Sequence, residues 1–72
     1  MYQRLRDLRE DKDLTQRQVA EYLSMSLSGY SKYELGENDV PTQILIKLAS
    51  FYNTSVDYIL GLTNIKEPYK RG

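Results

Sequence analysis

With neither cysteine nor histidine among its 72 residues, the chain has no thiol nucleophile, no imidazole base and no Cys/His ligand set. Disulfides, zinc sites and histidine-based acid–base or triad chemistry are therefore excluded together. Catalysis would need paired carboxylates or an activated lysine or serine. Asp11 with Asp13, and Glu37 with Asp39, read better as a helix end and a polar loop. No glycine-rich phosphate loop is present, so neither an enzyme nor a bound cofactor is expected. The stretch in which polar side chains are organised is Thr15 to Gly36, TQRQVAEYLSMSLSGYSKYELG. It reads as two short helices joined by a tight turn. Apolar residues are placed to lock the helices together, and polar residues point out of the second. That layout suits the reading of DNA.

The bulk numbers bound the rest. A chain of this length makes one domain with a modest core, held by packing alone. At this size no separate ligand-sensing domain is expected. No apolar run approaches the roughly 20 residues of a membrane span, and the charged N-terminus lacks the apolar middle of a signal peptide. The expected compartment is the cytoplasm. Ten Lys+Arg balance ten Asp+Glu, so net charge does not announce a nucleic-acid partner, although a neutral total can hide a positive face.

The pattern predicts five helices and no strand. The first runs from about Tyr2 to Lys12, with Leu5 and Leu8 on its apolar stripe, Met1 and Arg9 flanking it, and the other charges solvated. The second opens at a Thr15-x-x-Gln18 capping box, with Leu14 and Val19 as a hydrophobic staple. It buries Val19, Ala20 and Leu23. Ser24-Met25-Ser26 is the turn, and Ser26 is the natural N-cap of the third helix, about Leu27 to Leu35. Tyr30 and Tyr33 face inward; Gly29 is a poor helix former without an evident packing reason. Gly36 caps that helix, and Glu37-Asn38-Asp39 is a polar loop. Pro41 presets a fourth helix running to about Tyr52, with Ile44, Leu45, Leu48, Ala49 and Tyr52 at core spacing. Asn53 stops it in a left-handed conformation. Ser55 caps a last short helix with Asp57 in its first turn, and Val56, Ile59, Leu60 and Leu62 close the core. Residues 1–62 are expected to form the domain. Residues 63–72 form a C-terminal tail, flexible or dimer-forming, whose large apolar groups are Ile65 and Tyr69.

LTQRQVAEYLSMSLSGYSKYELGENDVP followed by LIKLASFYNTSVDYILGL resembles the Cro/repressor-type, Xre-like helix-turn-helix family. The shared elements are Leu14-Thr15-Gln16, Ala20, Tyr33-Glu34-Leu35-Gly36 and Ser55-Val56-Asp57-Tyr58-Ile59-Leu60. The resemblance covers about Arg4 to Leu62. It implies a compact all-α, five-helix, lambda-repressor-like fold with the helix-turn-helix at helices 2 and 3, and helix 3 in the major groove of double-stranded DNA. It also implies a buried structural ion pair between Arg9 and Glu34. Carried over position by position, Gln16 and Arg17 would contact phosphates. Ser26, Leu27, Ser28 and Lys32 would face the groove: Lys32 toward guanine O6/N7, Ser28 toward either base pair, and Leu27 toward a thymine methyl.

Three positions depart from the family pattern. Ser24 stands where glycine is common, Tyr30 is bulkier than the usual Ile or Val, and the loop after helix 3 is acidic where basic residues are usual. The expectation is a sequence-specific regulator, a phage or bacterial repressor, binding a palindromic operator as a homodimer with few charge contacts and a shallow salt dependence. Control would come through concentration, proteolysis or a partner protein. The alternative is a protein-interaction module of the antitoxin or anti-repressor type on the same fold.

Overall fold

In a computed structural model, residues 3–68 are described; the expectations placed on Met1, Tyr2 and Tyr69 lie outside them. The described residues form an all-α fold of five helices: α1 Gln3–Asp11, α2 Gln16–Tyr22, α3 Leu27–Leu35, α4 Thr42–Phe51 and α5 Val56–Ile59. α2 packs on α3, α4 on α5, and α1 lies against both α3 and α5. The core is built from Leu5, Leu8, Val19, Ala20, Leu23, Tyr30, Tyr33, Val40, Leu45, Leu48, Ala49, Tyr52 and Ile59. Among the described residues no helix is long and apolar enough to cross a membrane.

The helix starts follow local chemistry. Thr15 Oγ1 accepts from the Gln18 N–H at 3.1 Å, and the Thr15 N–H donates to Gln18 Oε1 at 2.8 Å, closing the capping box. Ser26 and Ser55 cap α3 and α5 by accepting from Gly29 and Tyr58 at 3.1 and 3.0 Å. Pro41 stands one residue before α4, at the N-cap with φ −60° and no side-chain bond, and not inside the helix. Its fixed φ still sets the direction from which the helix begins.

All five helices end in one way. Asp13, Ser24, Gly36, Asn53 and Gly61 have φ of 55°, 57°, 77°, 52° and 78°. In each case the next residue's N–H reaches back to the last turn: Leu14 to Arg9, Met25 to Ala20, Glu37 to Lys32, Thr54 to Ala49 and Leu62 to Asp57, at 2.8–3.1 Å. This is the Schellman arrangement, which satisfies carbonyls that a helix end leaves open.

Two expectations need correction. Leu60 and Leu62 do not close the core; they are 41% and 73% exposed, because α5 ends at Ile59 and the chain turns outward at Gly61. Nor is Arg9 the only inward cation of α1. Arg4 is half-buried, its guanidinium 4.1 Å from the centre of the Tyr58 ring. It donates to the carbonyls of Tyr58 and Thr63 and to Asn64 Oδ1. Thr54 donates to the Lys66 carbonyl, and Lys66 Nζ lies 3.7 Å from Asp11. Residues 63–66 thus run against α1 and the end of α4.

α1, α2 and α3 are joined by one buried carboxylate. Glu34 Oε2 accepts from Arg9 Nε at 2.8 Å and from the Tyr30 hydroxyl at 2.7 Å; Oε1 accepts from Arg9 Nη2 and Gln16 Nε2, each at 3.1 Å. Four donors match the roughly four lone-pair sites of a carboxylate. Arg9 Nη1 donates onward to the Leu14 carbonyl at 2.9 Å, tying in the residue before α2. Burial pushes the Glu34 carboxyl up, and bonds from Arg9, Tyr30 and Gln16 outweigh it, leaving it below the ordinary range. The same bond to Glu34 raises Arg9, against the effect of burial. Tyr30 is raised, first by burial and then by its bond to Glu34. Tyr52 is pushed up to about 12 by burial and by the Glu34 charge. Its hydroxyl is buried without a well-formed hydrogen bond among the described residues, although the Tyr30 hydroxyl lies close enough to oppose the rise.

The two tyrosines should therefore respond unequally to loss of the hydroxyl. Tyr30→Phe removes a bond to a charged group and should cost about 1.5–3 kcal/mol in urea unfolding, whereas Tyr52→Phe should cost less than about 0.5 kcal/mol or stabilise. Because Glu34 is depressed on folding, its contribution is present above the unfolded value of about 4.3 and is lost as pH falls through the folded value. The Tyr30→Phe deficit should narrow over that acid range. An equal cost for both variants would contradict this reading.

Candidate nucleic-acid interface

α3 has two faces because its buried residues recur at helical spacing. Tyr30, Tyr33 and Glu34 are buried, and the two tyrosine rings meet edge to face with centroids 6.3 Å apart. The opposite face carries Leu27, Ser28 and Lys32, all exposed, with Ser31 half-buried beside them. Ser28 and Lys32 are one turn apart, so their donors share a stripe. Leu27 is 38% exposed at the first turn. Ser26 uses its oxygen to cap the helix and keeps its hydroxyl proton to donate.

Gly29 gains a packing reason. A Cβ there would lie 3.0 Å from Ser26 Oγ and 3.5 Å from Met25 Cε. Ser26 Oγ is held in place as the cap, so alanine would crowd the atom that starts the helix. The approach to Met25 Cε is an ordinary van der Waals contact, so the constraint on this position comes from Ser26.

On α2, Arg17 is exposed and Gln16 half-buried. Gln16 Nε2 is held 3.1 Å from Glu34 Oε1, a contact sequence reasoning missed. So was the Tyr30 hydroxyl's bond to Glu34, although their four-residue spacing on one helix was a usable signal. Arg9 and Glu34 meet with side chains 14% and 4% exposed, and neither projects from the α3 face. The chain segment after α3 is acidic and open, with Glu37, Asn38 and Asp39 all exposed.

The turn between α2 and α3 turns on Ser24, at φ 57°. Its N–H and that of Met25 close on Glu21 and Ala20 at 3.0 and 2.9 Å, which forces the left-handed conformation on a residue with a Cβ. That conformation costs an L-residue about 1–2 kcal/mol, part of which glycine returns as backbone entropy in the unfolded chain. Ser24→Gly should stabilise the fold by about 0.5–1 kcal/mol in urea unfolding. A destabilised variant would mean the Ser24 side chain holds the turn in a way its exposure does not suggest.

The chain matches the helix-turn-helix family over residues 5–59. Among curated proteins it is similar to an uncharacterized HTH-type transcriptional regulator, YobD, of Bacillus subtilis (strain 168), 46% identical over 66 residues, covering 92% of this chain and 59% of that protein. It is 36% identical over 64 residues to the HTH-type transcriptional regulator ImmR of the same organism, covering 89% of this chain and 50% of that one. To the cryptic phage CTXphi transcriptional repressor RstR of Vibrio cholerae it is 33% identical over 69 residues, covering 93% and 62%. The chain thus spans between 50% and 62% of the length of these relatives. No solved structure matches it significantly. With the match running from α1 to α5 and the shared turn lying between α2 and α3, the chain belongs to the helix-turn-helix family, in its Cro/repressor, Xre-like form.

Proposed function

We propose that this chain is a sequence-specific DNA-binding transcriptional regulator, a repressor of phage or bacterial type, that holds a palindromic operator as a dimer with α3 in the major groove. The observation that carries the reading is the outward face of α3. Ser26, Leu27, Ser28 and Lys32 form a mostly polar, exposed stripe on a helix whose other face is fixed in the core. Donors of this kind match acceptors on base edges, and Leu27 matches a thymine methyl. Gln16 and Arg17 supply backbone contacts that set register. Two copies would place their α3 helices about 34 Å apart, one turn of the duplex. Repression follows from occupying the site polymerase needs, and the cytoplasm is where such a protein meets its operator. Relatives described as transcriptional regulators and as a phage repressor support this reading.

The exposed acidic run Glu37-Asn38-Asp39 favours a second reading, a protein-interaction module on the same fold, since those carboxylates repel phosphates. Against it stands the polarity of most of α3, because a protein-binding helix presents several apolar anchors and the exposed apolar side chains of this helix are Leu27 and, in the last turn, Leu35.

Selection from a pool of random duplexes at two salt concentrations separates the two. Wild type should enrich a palindrome with a shallow salt slope, near −0.9 per phosphate contacted. Lys32→Ala should relax one base pair per half-site with a discrimination loss of about 1–3 kcal/mol. Retention of no duplex at low salt would remove the DNA reading and leave the protein partner.

A further inference from the structure

Gln16 carries a constraint that the groove-facing residues lack. A glutamine amide has two ends of nearly equal size, and an unheld one can flip between presenting N–H and presenting C=O. Here the end facing Glu34 must be the nitrogen, because a carboxylate only accepts. The Gln16 amide has no other hydrogen-bond partner among the described residues, so its second N–H is uncommitted. The pair sits in an open cleft lined by Arg6, Arg9, Gln16, Glu34 and Leu35.

Resting on the DNA reading above, we propose that Glu34 is a positioning residue for the operator backbone: its carboxylate locks the Gln16 amide so that the free N–H is presented to a phosphate oxygen. Carboxylate and phosphate are both acceptors, and a primary amide nitrogen, with two divergent N–H bonds, can bridge them. Repulsion between the two anions is met by Arg9, which places two N–H bonds on Glu34 at 2.8 and 3.1 Å. The group that joins α3 to α1 therefore also aims the contact from α2. Recognition helix and backbone contact share one reference point.

The test uses the operator recovered by selection, with its phosphates replaced singly by neutral methylphosphonates. Wild type should lose about tenfold in affinity or more at one phosphate per half-site. Gln16→Ala should weaken the native operator by a similar factor and lose its sensitivity at that phosphate. Glu34→Gln, with folding verified by circular dichroism, should lose the same sensitivity, and adding Gln16→Ala to it should cost nothing more. A folded Glu34→Gln that keeps the sensitivity, or two effects that multiply, would overturn the proposal.

Should Glu34→Gln fail to fold, the wild-type Gln16 side-chain amide protons answer the question by NMR. Only the proton turned away from Glu34 is expected to move on addition of operator; two that move alike, or none that moves, would overturn it. Operator binding that persists while these results fail rejects the role of Glu34 alone. Loss of any selected operator rejects the DNA reading itself.

Discussion

The Glu34 carboxylate receives hydrogen bonds from Arg9 on α1, Gln16 on α2 and Tyr30 on its own helix, and the placement of α3 depends on them. A chain of this size has few core residues with which to define how three short helices sit against one another. Apolar packing favours contact but does not prescribe direction. A saturated buried carboxylate does prescribe it, because each donor must arrive along a particular line. Such a group adds little net stability compared with a well-packed apolar substitute, and its loss is costly because the partner is stranded. Its contribution here is orientation, and the outward face of α3 inherits it.

Around that centre, the local devices agree with one another. Every helix is stopped by a left-handed residue whose successor bonds back into the last turn, and α2, α3 and α5 are started by a side-chain cap. Helix lengths are thus set within each segment, leaving tertiary packing to decide only their arrangement. The turn from α2 to α3 is the tightest case. Ser24 ends one helix and Ser26 begins the next, and Gly29 keeps clear of the Ser26 oxygen that caps it.

Much of this was legible because capping is local. Thr15 with Gln18, Ser26, Gly36, Asn53 and Ser55 announce helix ends within three or four residues, and helical spacing announces Leu5, Leu8, Val19, Leu45 and Leu48 as core. Leu60 and Leu62 were misplaced for a physical reason. An apolar residue beyond the last turn buries itself only if a surface reaches it, and spacing carries no information about that. Arg4 was missed because its acceptors are the backbone oxygens of Tyr58 and Thr63 and the side chain of Asn64, more than fifty residues away. Arg9 and Glu34 were paired through family resemblance; 25 residues of separation give no periodic signal. The bond from Gln16 to Glu34 needed the packed structure, since an amide beside a cap looks the same in sequence whether it is solvated or held.

The most direct test of the central claim, that α3 is a fixed platform read from its outer face, is a map of backbone and side-chain amide shifts on adding the selected duplex to ¹⁵N-labelled protein. The expected changes centre on Gln16, Arg17, Ser26 to Ser28 and Lys32, with Tyr30, Tyr33 and Glu34 nearly unmoved. Changes centred on residues 37–39 or 60–65, with α3 silent, would contradict it.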